Sequence, residues 1–168
     1  MATDQVLKNI NLFVDGRGKA GKVSELSPPD LAIAVEDIRA GGMDGPVAHD
    51  MGMEGLEASF VLTSYDPDVL ALWGIARGSA VPLTFRAALE DYDGTVTPVK
   101  MQMRGKIRTI ARGSWKPGTV PSLTITLRLT SYVETHGDRE LHRIDLPNMV
   151  RIVDGVDQLA AQRAALGL

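Results

Sequence analysis

The chain has 168 residues, 44% of them hydrophobic and 23% charged, with a formal charge of −3 and no cysteine. That length fits one domain able to bury about 70% of its unfolded surface, and without cysteine neither a disulfide framework nor a thiolate metal site is possible. The slight acidity argues against a protein that grips nucleic acid through a basic patch. No basic stretch followed by an apolar run opens the sequence, and no run approaches the ~20 residues a bilayer demands, which predicts a soluble chain made in the cytoplasm.

In chain order, residues 10–14 read as the first strand. Residues 16–22, GRGKAGK, match the glycine and lysine spacing of a phosphate-binding loop, but Val23 stands where the magnesium-binding hydroxyl belongs. The prolines at 28 and 29 exclude the helix whose N-terminus would hold phosphate, so a polar hairpin turn is expected. Residues 31–40 form the next predicted strand. Residues 39–54 then hold five glycines and prolines and three methionines among sixteen positions, which predicts a long docking loop with adaptable apolar contacts.

Leu56, Ala58, Phe60 and Leu62 alternate with Glu57, Ser59 and Thr63, the mark of a half-buried strand. Asp66 and Pro67 suit the cap and first turn of a helix with Val69, Leu72, Trp73 and Ala76 on its core face and Gly78 as its stop. Residues 80–89 are a further strand, and Glu90, Asp91 and Asp93 read as a solvated turn before Gly94. Val99, Met101 and Met103 alternate with Lys100, Gln102 and Arg104, and Trp115 is expected to anchor the turn-like GSWKPG. Residues 123–132 put leucine and isoleucine at odd positions and Thr124, Thr126, Arg128 and Thr130 opposite. The turn at His136, Gly137 and Asp138 returns the chain through 139–146. A last helix is expected over 157–166, capped by Asp157, with Leu159, Arg163 and Leu166 along one side and Gly167 as its stop. Seven or eight antiparallel strands result.

Nothing in this pattern carries chemistry. His49, His136 and His142 lack metal-ligand spacing, there is no nucleophile elbow, and no residue is assigned as catalytic, cofactor-binding or metal-ligating.

Three segments occur in an informative order: NLFVDG at 11–16, RAGGMDGPVAHDMGME at 39–54 and DLPNMVRIVDGVDQLAAQRAALGL at 145–168. Together they resemble the major tail tube proteins of contractile phage tails, the inner-tube family of P2-like phages and R-type pyocins. The likeness spans essentially the whole chain, and 89–122 is its most individual stretch. It implies a mainly β (α+β) subunit, an antiparallel sandwich or barrel-like fold with one packed helix and a short C-terminal helix. A single domain over 1–168 would carry a protruding loop at 39–54.

The resemblance further implies a structural protein without enzymatic activity or cofactor. Six copies would close a ring, rings would stack into a tube, and a sheath would surround it. Tape measure, baseplate and tail terminator proteins are the implied partners, DNA would pass without specific binding, and the mature location would be the virion tail. Subunit contacts would come from Arg39, Gly41, Gly42, Met43, Asp44, Pro46, Asp50, Met51 and Met53. The C-terminal signature comprises Asn148, Gly155, Asp157, Gln158, Leu159, Arg163 and Leu166. A pyocin-like tube carrying no genome fits the same features, and a monomeric ligand-binding β-barrel is the alternative of another class. A neutral or acidic channel would let DNA slide, with either the Thr124/Thr126/Arg128 face or the Glu57/Ser59 face as its wall.

Overall fold

The computed structural model describes residues 4–74 and 80–168. Its first half contains β1 (Val6–Val14), β2 (Arg17–Gly18), β3 (Val23–Ser27), β4 (Ile33–Ile38), β5 (Val47–Met53), β6 (Glu57–Leu62) and the short helix α1 (Pro67–Leu70). The second half adds β7 (Val81–Glu90), β8 (Val96–Ala111), β9 (Leu123–His136), β10 (Arg139–Asp145), β11 (Val150–Val153), β12 (Val156–Asp157) and α2 (Ala160–Leu166).

All pairings are antiparallel, both between chain neighbours such as β7 and β8 and between distant strands such as β1 and β7. One sheet runs β12-β11-β10-β9-β8-β7-β1-β2, and β6, carrying β3, joins it at β9. The fork lies within β9. Its first part pairs with β6, from Leu62↔Leu123 to Glu57↔Arg128, and its second part pairs with β10, from Ser131↔Asp145 to His136↔Arg139. Between them β8 stays in register with both parts except at two shifts: the partner of Arg104 is Ser131 and that of Gly105 is Leu129, and the partner of Ile107 is Leu127 and that of Thr109 is Thr126.

Thr130 is therefore the extra residue at the first shift, a bulge that bends β9 and increases its local twist. Gly105 is required there, because a Cβ would lie 2.3 Å from the Arg128 carbonyl oxygen. The Thr130 carbonyl freed by the bulge accepts the Leu146 amide at 3.0 Å, so the fork leaves no orphaned acceptor there.

Between the folded layers lies the core: Leu12 and Val14 from β1, Phe60 and Leu62 from β6, Leu83 and Phe85 from β7, Ile125, Leu127 and Tyr132 from β9, with Leu56 and Val69 closing its ends. The odd-numbered face of β9 is buried through Leu129, and burial then passes to Tyr132. The one-residue bulge at Thr130 explains that change of phase.

Several expected boundaries need correction. Residues 47–53, expected within a loop, are strand β5, so only 39–46 is a turn and the projecting element is the two-stranded hairpin of β4 and β5. β3, β11 and β12 were not foreseen. The helix after Asp66 is a single turn: the Asp66 side chain accepts the Asp68 amide as expected, but the amides of Leu72 and Trp73 then bond three residues back and Gly74 takes φ +75°. The chain leaves the helix, and Trp73, expected in the core, is 60% exposed. Ala76 and Gly78 lie outside the described residues. The last helix begins at Ala160 rather than Asp157, which sits in β12, and it ends as expected at Gly167 with φ +74°. Leu166, expected on the same side as Leu159 and Arg163, is exposed.

Candidate assembly surface

The segment resembling a phosphate loop is closed by the protein's own carboxylate. Lys19 Nζ lies 2.6 Å from Asp66 Oδ2 with both side chains buried, and Lys22 Nζ reaches the same oxygen at 3.6 Å. Burial pushes the Asp66 carboxyl up, and the Lys19 ammonium, the Asp68 amide and Lys22 together bring it below the usual aspartate range. An anion site already occupied from within offers nothing to a nucleotide. Its work is to tie the β1–β3 connection to α1.

The hairpin has the opposite character. Ile38 pairs with Val47 and Glu36 with His49 on one side, while Val35 pairs with Asp50 and Asp37 with Ala48 on the other. Ile33, Val35, Ile38, Val47 and Met51 are all exposed, so neither face is covered by the chain itself. At the tip, Arg39 Nε donates to the Met43 carbonyl at 3.3 Å and the Met43 amide to Ala40 at 3.2 Å, with Gly42 at φ +86° supplying the reversal. Gly41, Asp44 and Pro46 complete this exposed turn.

At its root the hairpin is held firmly. The Glu54 amide donates to Ala32 O at 2.9 Å, and the register jumps from Ile33↔Met53 to Val35↔Asp50. The bulge this creates places Gly52 at φ +99°, with its amide donating to Asp50 Oδ1 at 2.7 Å. The other oxygen of Asp50 accepts Arg151 Nη2 at 2.7 Å. That hydrogen bond, then the Gly52 amide, holds the Asp50 carboxyl below its ordinary value. Arg151 was missed in the sequence; its signal is a single charge inside the apolar run Val150–Val153.

This contact joins two of the sequence segments. A cleft of about 410 Å³ is lined by Asp50, Met51 and Met53 from the hairpin and by Leu146, Met149 and Leu159 from the C-terminal part. Arg163 pairs with Asp157 and donates to the Met149 carbonyl at 2.8 Å, which clamps α2 onto the β10–β11 turn. The Gln158 amide donates to Arg151 O at 2.9 Å, Asn148 Nδ2 to Asp145 at 2.8 Å, and Gly155 makes the β11–β12 turn at φ +80°. Of the expected contact residues, Asp50, Met51 and Met53 are thus brought together at the root, beside Leu159 of the C-terminal signature. Arg39, Gly41, Gly42, Met43, Asp44 and Pro46 stand apart at the tip.

A second cluster was invisible in the sequence. Glu134 accepts the Tyr132 hydroxyl at 2.9 Å and faces His136 Nε2 at 2.8 Å and His142 Nδ1 at 3.2 Å. Burial raises the Glu134 carboxyl, and the contacts from His136, Tyr132 and His142 outweigh it, leaving the group below the ordinary glutamate range. Burial beside this carboxylate pushes the Tyr132 phenol up. Among the described residues, no three His, Asp or Glu side chains are grouped to hold a metal.

At the far end of β6, Trp115 packs on Tyr65 with ring centroids 4.9 Å apart and remains 73% exposed. The Tyr65 hydroxyl donates to Arg112 O at 2.5 Å. Trp115 is thus fixed from one side only. The two faces proposed as alternative channel walls prove to be one: Glu57 pairs with Arg128, Ser59 with Thr126 and Val61 with Thr124. On it Arg108 reaches Glu57 at 2.7 Å, and Lys106 lies directly across from Arg128.

Comparison with known proteins gives this arrangement a family. A model of the phage tail tube protein FII matches residues 4–167. The tail tube protein of Escherichia phage P2 is 30% identical over 172 aligned positions, covering 100% of both chains. The major tail tube protein of Serratia phage KSP20 is 32% identical and covers 92% of this chain and 91% of its own. In fold, the chain resembles a subunit from the sheath-tube complex of an extracellular contractile injection system, with TM-score 0.57 at 10% identity over 75% of this chain and 87% of that one. Tail tube proteins are structural components and not enzymes. The chain belongs to the phage tail tube protein family, the major tube proteins of contractile tails.

Proposed function

We propose that this chain is the repeating subunit of the inner tube of a contractile phage tail, six copies closing a ring and rings stacking around a channel for DNA. The observation that carries this reading is the hairpin: an element anchored at its root by Asp50 and Arg151, with exposed Ile38, Val47, Val35 and Met51 that no part of its own chain covers. An exposed apolar ribbon of this kind is a liability in a monomer and an asset in a polymer. Arg39, Gly41, Gly42, Met43, Asp44 and Pro46 are the residues that reach a neighbouring copy. Asp157, Leu159 and Arg163 hold the C-terminal helix in place behind it.

Closure around a ring removes free sheet edges, and head-to-tail repetition along the axis gives a tube whose length another protein must set. A sheath protein outside, a tape measure within, and baseplate and terminator proteins at the ends complete the particle, and the virion tail is its mature location. A genome-free injection tube is the second reading, favoured by the fold likeness to a contractile injection system; capsid and terminase genes beside this one would decide for the phage.

Electron microscopy of the purified chain at rising concentration, seeded with sheared tail fragments, tests the proposal. Hollow tubes of uniform width are expected. Deletion of residues 41–45 is expected to leave a folded chain that no longer extends the seeds; unchanged growth would reject the role assigned to the tip.

A further inference from the structure

We infer that the hairpin of one copy docks on the tryptophan-bearing end of the next, around Trp115, Tyr65, Trp73 and Val120; this rests on the tube reading and names the surface that receives the hairpin.

The first argument is position. β6 starts beside the hairpin root, is six residues long, and ends just before Tyr65, so about 20 Å separates the two surfaces along the strand. A surface and its receptor at different ends of one chain make a heterologous contact, which closes a ring or repeats as a filament.

The second argument is exposure. The chain contains two tryptophans, and Trp73 and Trp115 are 60% and 73% exposed; Val120, in sequence between Thr119 and Pro121 of the cleft that Trp115 lines, is 75% exposed. Large aromatic side chains left in water beside a shallow cleft are the residues that dominate protein contacts once covered. The cleft, about 380 Å³, is lined by Tyr65, Trp115, Lys116, Pro117, Thr119 and Pro121. A neighbouring depression is lined by Leu70, Trp73, Ile110, Arg108 and Arg112.

Charge is the third. Between positions 33 and 53 the hairpin carries Glu36, Asp37, Asp44 and Asp50 against Arg39. Asp50 is taken by Arg151, while among the described residues no cation pairs with Glu36, Asp37 or Asp44. Residues 104–116 hold five lysines and arginines and no acid. Of these, Arg108 is engaged by Glu57, while Arg112 and Lys116 stand exposed beside the aromatic rings without an acidic partner among the described residues. An acidic apolar ribbon and a basic aromatic end are complementary, and each repels its own kind, so the pairing specifies head-to-tail order as well as attraction.

The absence of cysteine makes the test clean. In tubes grown from the Val47→Cys, Val120→Cys double variant, mild oxidation is expected to give a ladder of disulfide-linked chains. The Val47→Cys, Leu7→Cys pair, which aims the same strand at the apolar cleft beneath β1 and β7, is expected to give none. Tubes that form normally yet cross-link only through the Leu7 pair, or through neither, would overturn this docking and leave the tube reading standing. A wild-type chain that never extends seeds would overturn both.

Charge exchange gives an independent readout. Arg112→Glu with Lys116→Glu is expected to slow seeded growth at least tenfold, and adding Asp37→Lys with Asp44→Lys is expected to restore it. Growth unaffected by the first pair, or not restored by the second, contradicts the contact. Tryptophan emission should shift to shorter wavelength as tubes form; an unchanged spectrum would place both rings in water in the polymer and reject the proposal.

Discussion

The body of the sandwich and the β4–β5 hairpin are built from the same kinds of residues and solve different problems. In the body, Leu12, Phe60, Leu62, Ile125 and Leu127 are each covered by the chain's own strands, and its buried lysine meets a buried carboxylate. In the hairpin, five large apolar side chains face water and the acids of the outer half have no partner among the described residues. The core of the body is complete within one chain. On the proposed reading the hairpin is completed by another copy, so substitutions in the core and in the hairpin should fail in opposite ways: one in stability, the other in assembly.

The largest effect should come from the core. Phe60→Ala removes a ring buried between layers and is expected to cost about 4 kcal/mol in denaturant unfolding, with assembly impaired only because less folded chain remains. Lys19→Met strands the buried Asp66 carboxylate and is expected to cost about 3 kcal/mol near neutral pH. Asp66 is depressed in the folded state, so the stability it contributes is fully present above the unfolded aspartate value of about 3.9 and is lost as pH falls below that toward the folded value. The gap between wild type and Lys19→Met should accordingly narrow in melts run below about pH 4. A constant gap would mean that the pair is not ionic in the folded state.

Gly105→Ala forces a methyl toward the Arg128 carbonyl at the fork and is expected to cost about 2 kcal/mol. Smallest in stability is Val47→Asp, within about 0.5 kcal/mol of wild type because the side chain is already in water. By light scattering the same variant should fail to extend seeds. If Val47→Asp unfolds the chain, or assembles normally, the contrast between the two regions is wrong.

How far the sequence reveals each region follows from burial. Strands β6, β8 and β9 could be read because one face packs on the core, and packing imposes a period of two on the residue pattern. β5 could not: in VAHDMGM neither face is buried within the chain, so no alternation is imposed and glycines and methionines suggest a loop. The same property that hides the strand leaves both its faces exposed, which is the ground for proposing it as a contact surface. Trp73 was misplaced because a helical period was extended past Leu70, where the single-turn helix ends. Lys19 and Asp66 are 47 residues apart, and the gathering of His142 with Glu134 depends on the register of two strands. Pairings of that kind follow from topology rather than local pattern. Arg151 shows the intermediate case, an isolated charge in an apolar run whose partner only the fold could name.

Amide hydrogen exchange, compared between the monomer and assembled tubes, tests the contrast most directly. In the monomer, amides of β6 and the first half of β9 should exchange at the slow, global rate while those of β4 and β5 exchange fast. In the tube, the β4 and β5 amides should slow by at least a hundredfold. Equal protection of the hairpin in both states would contradict the claim that another copy completes it.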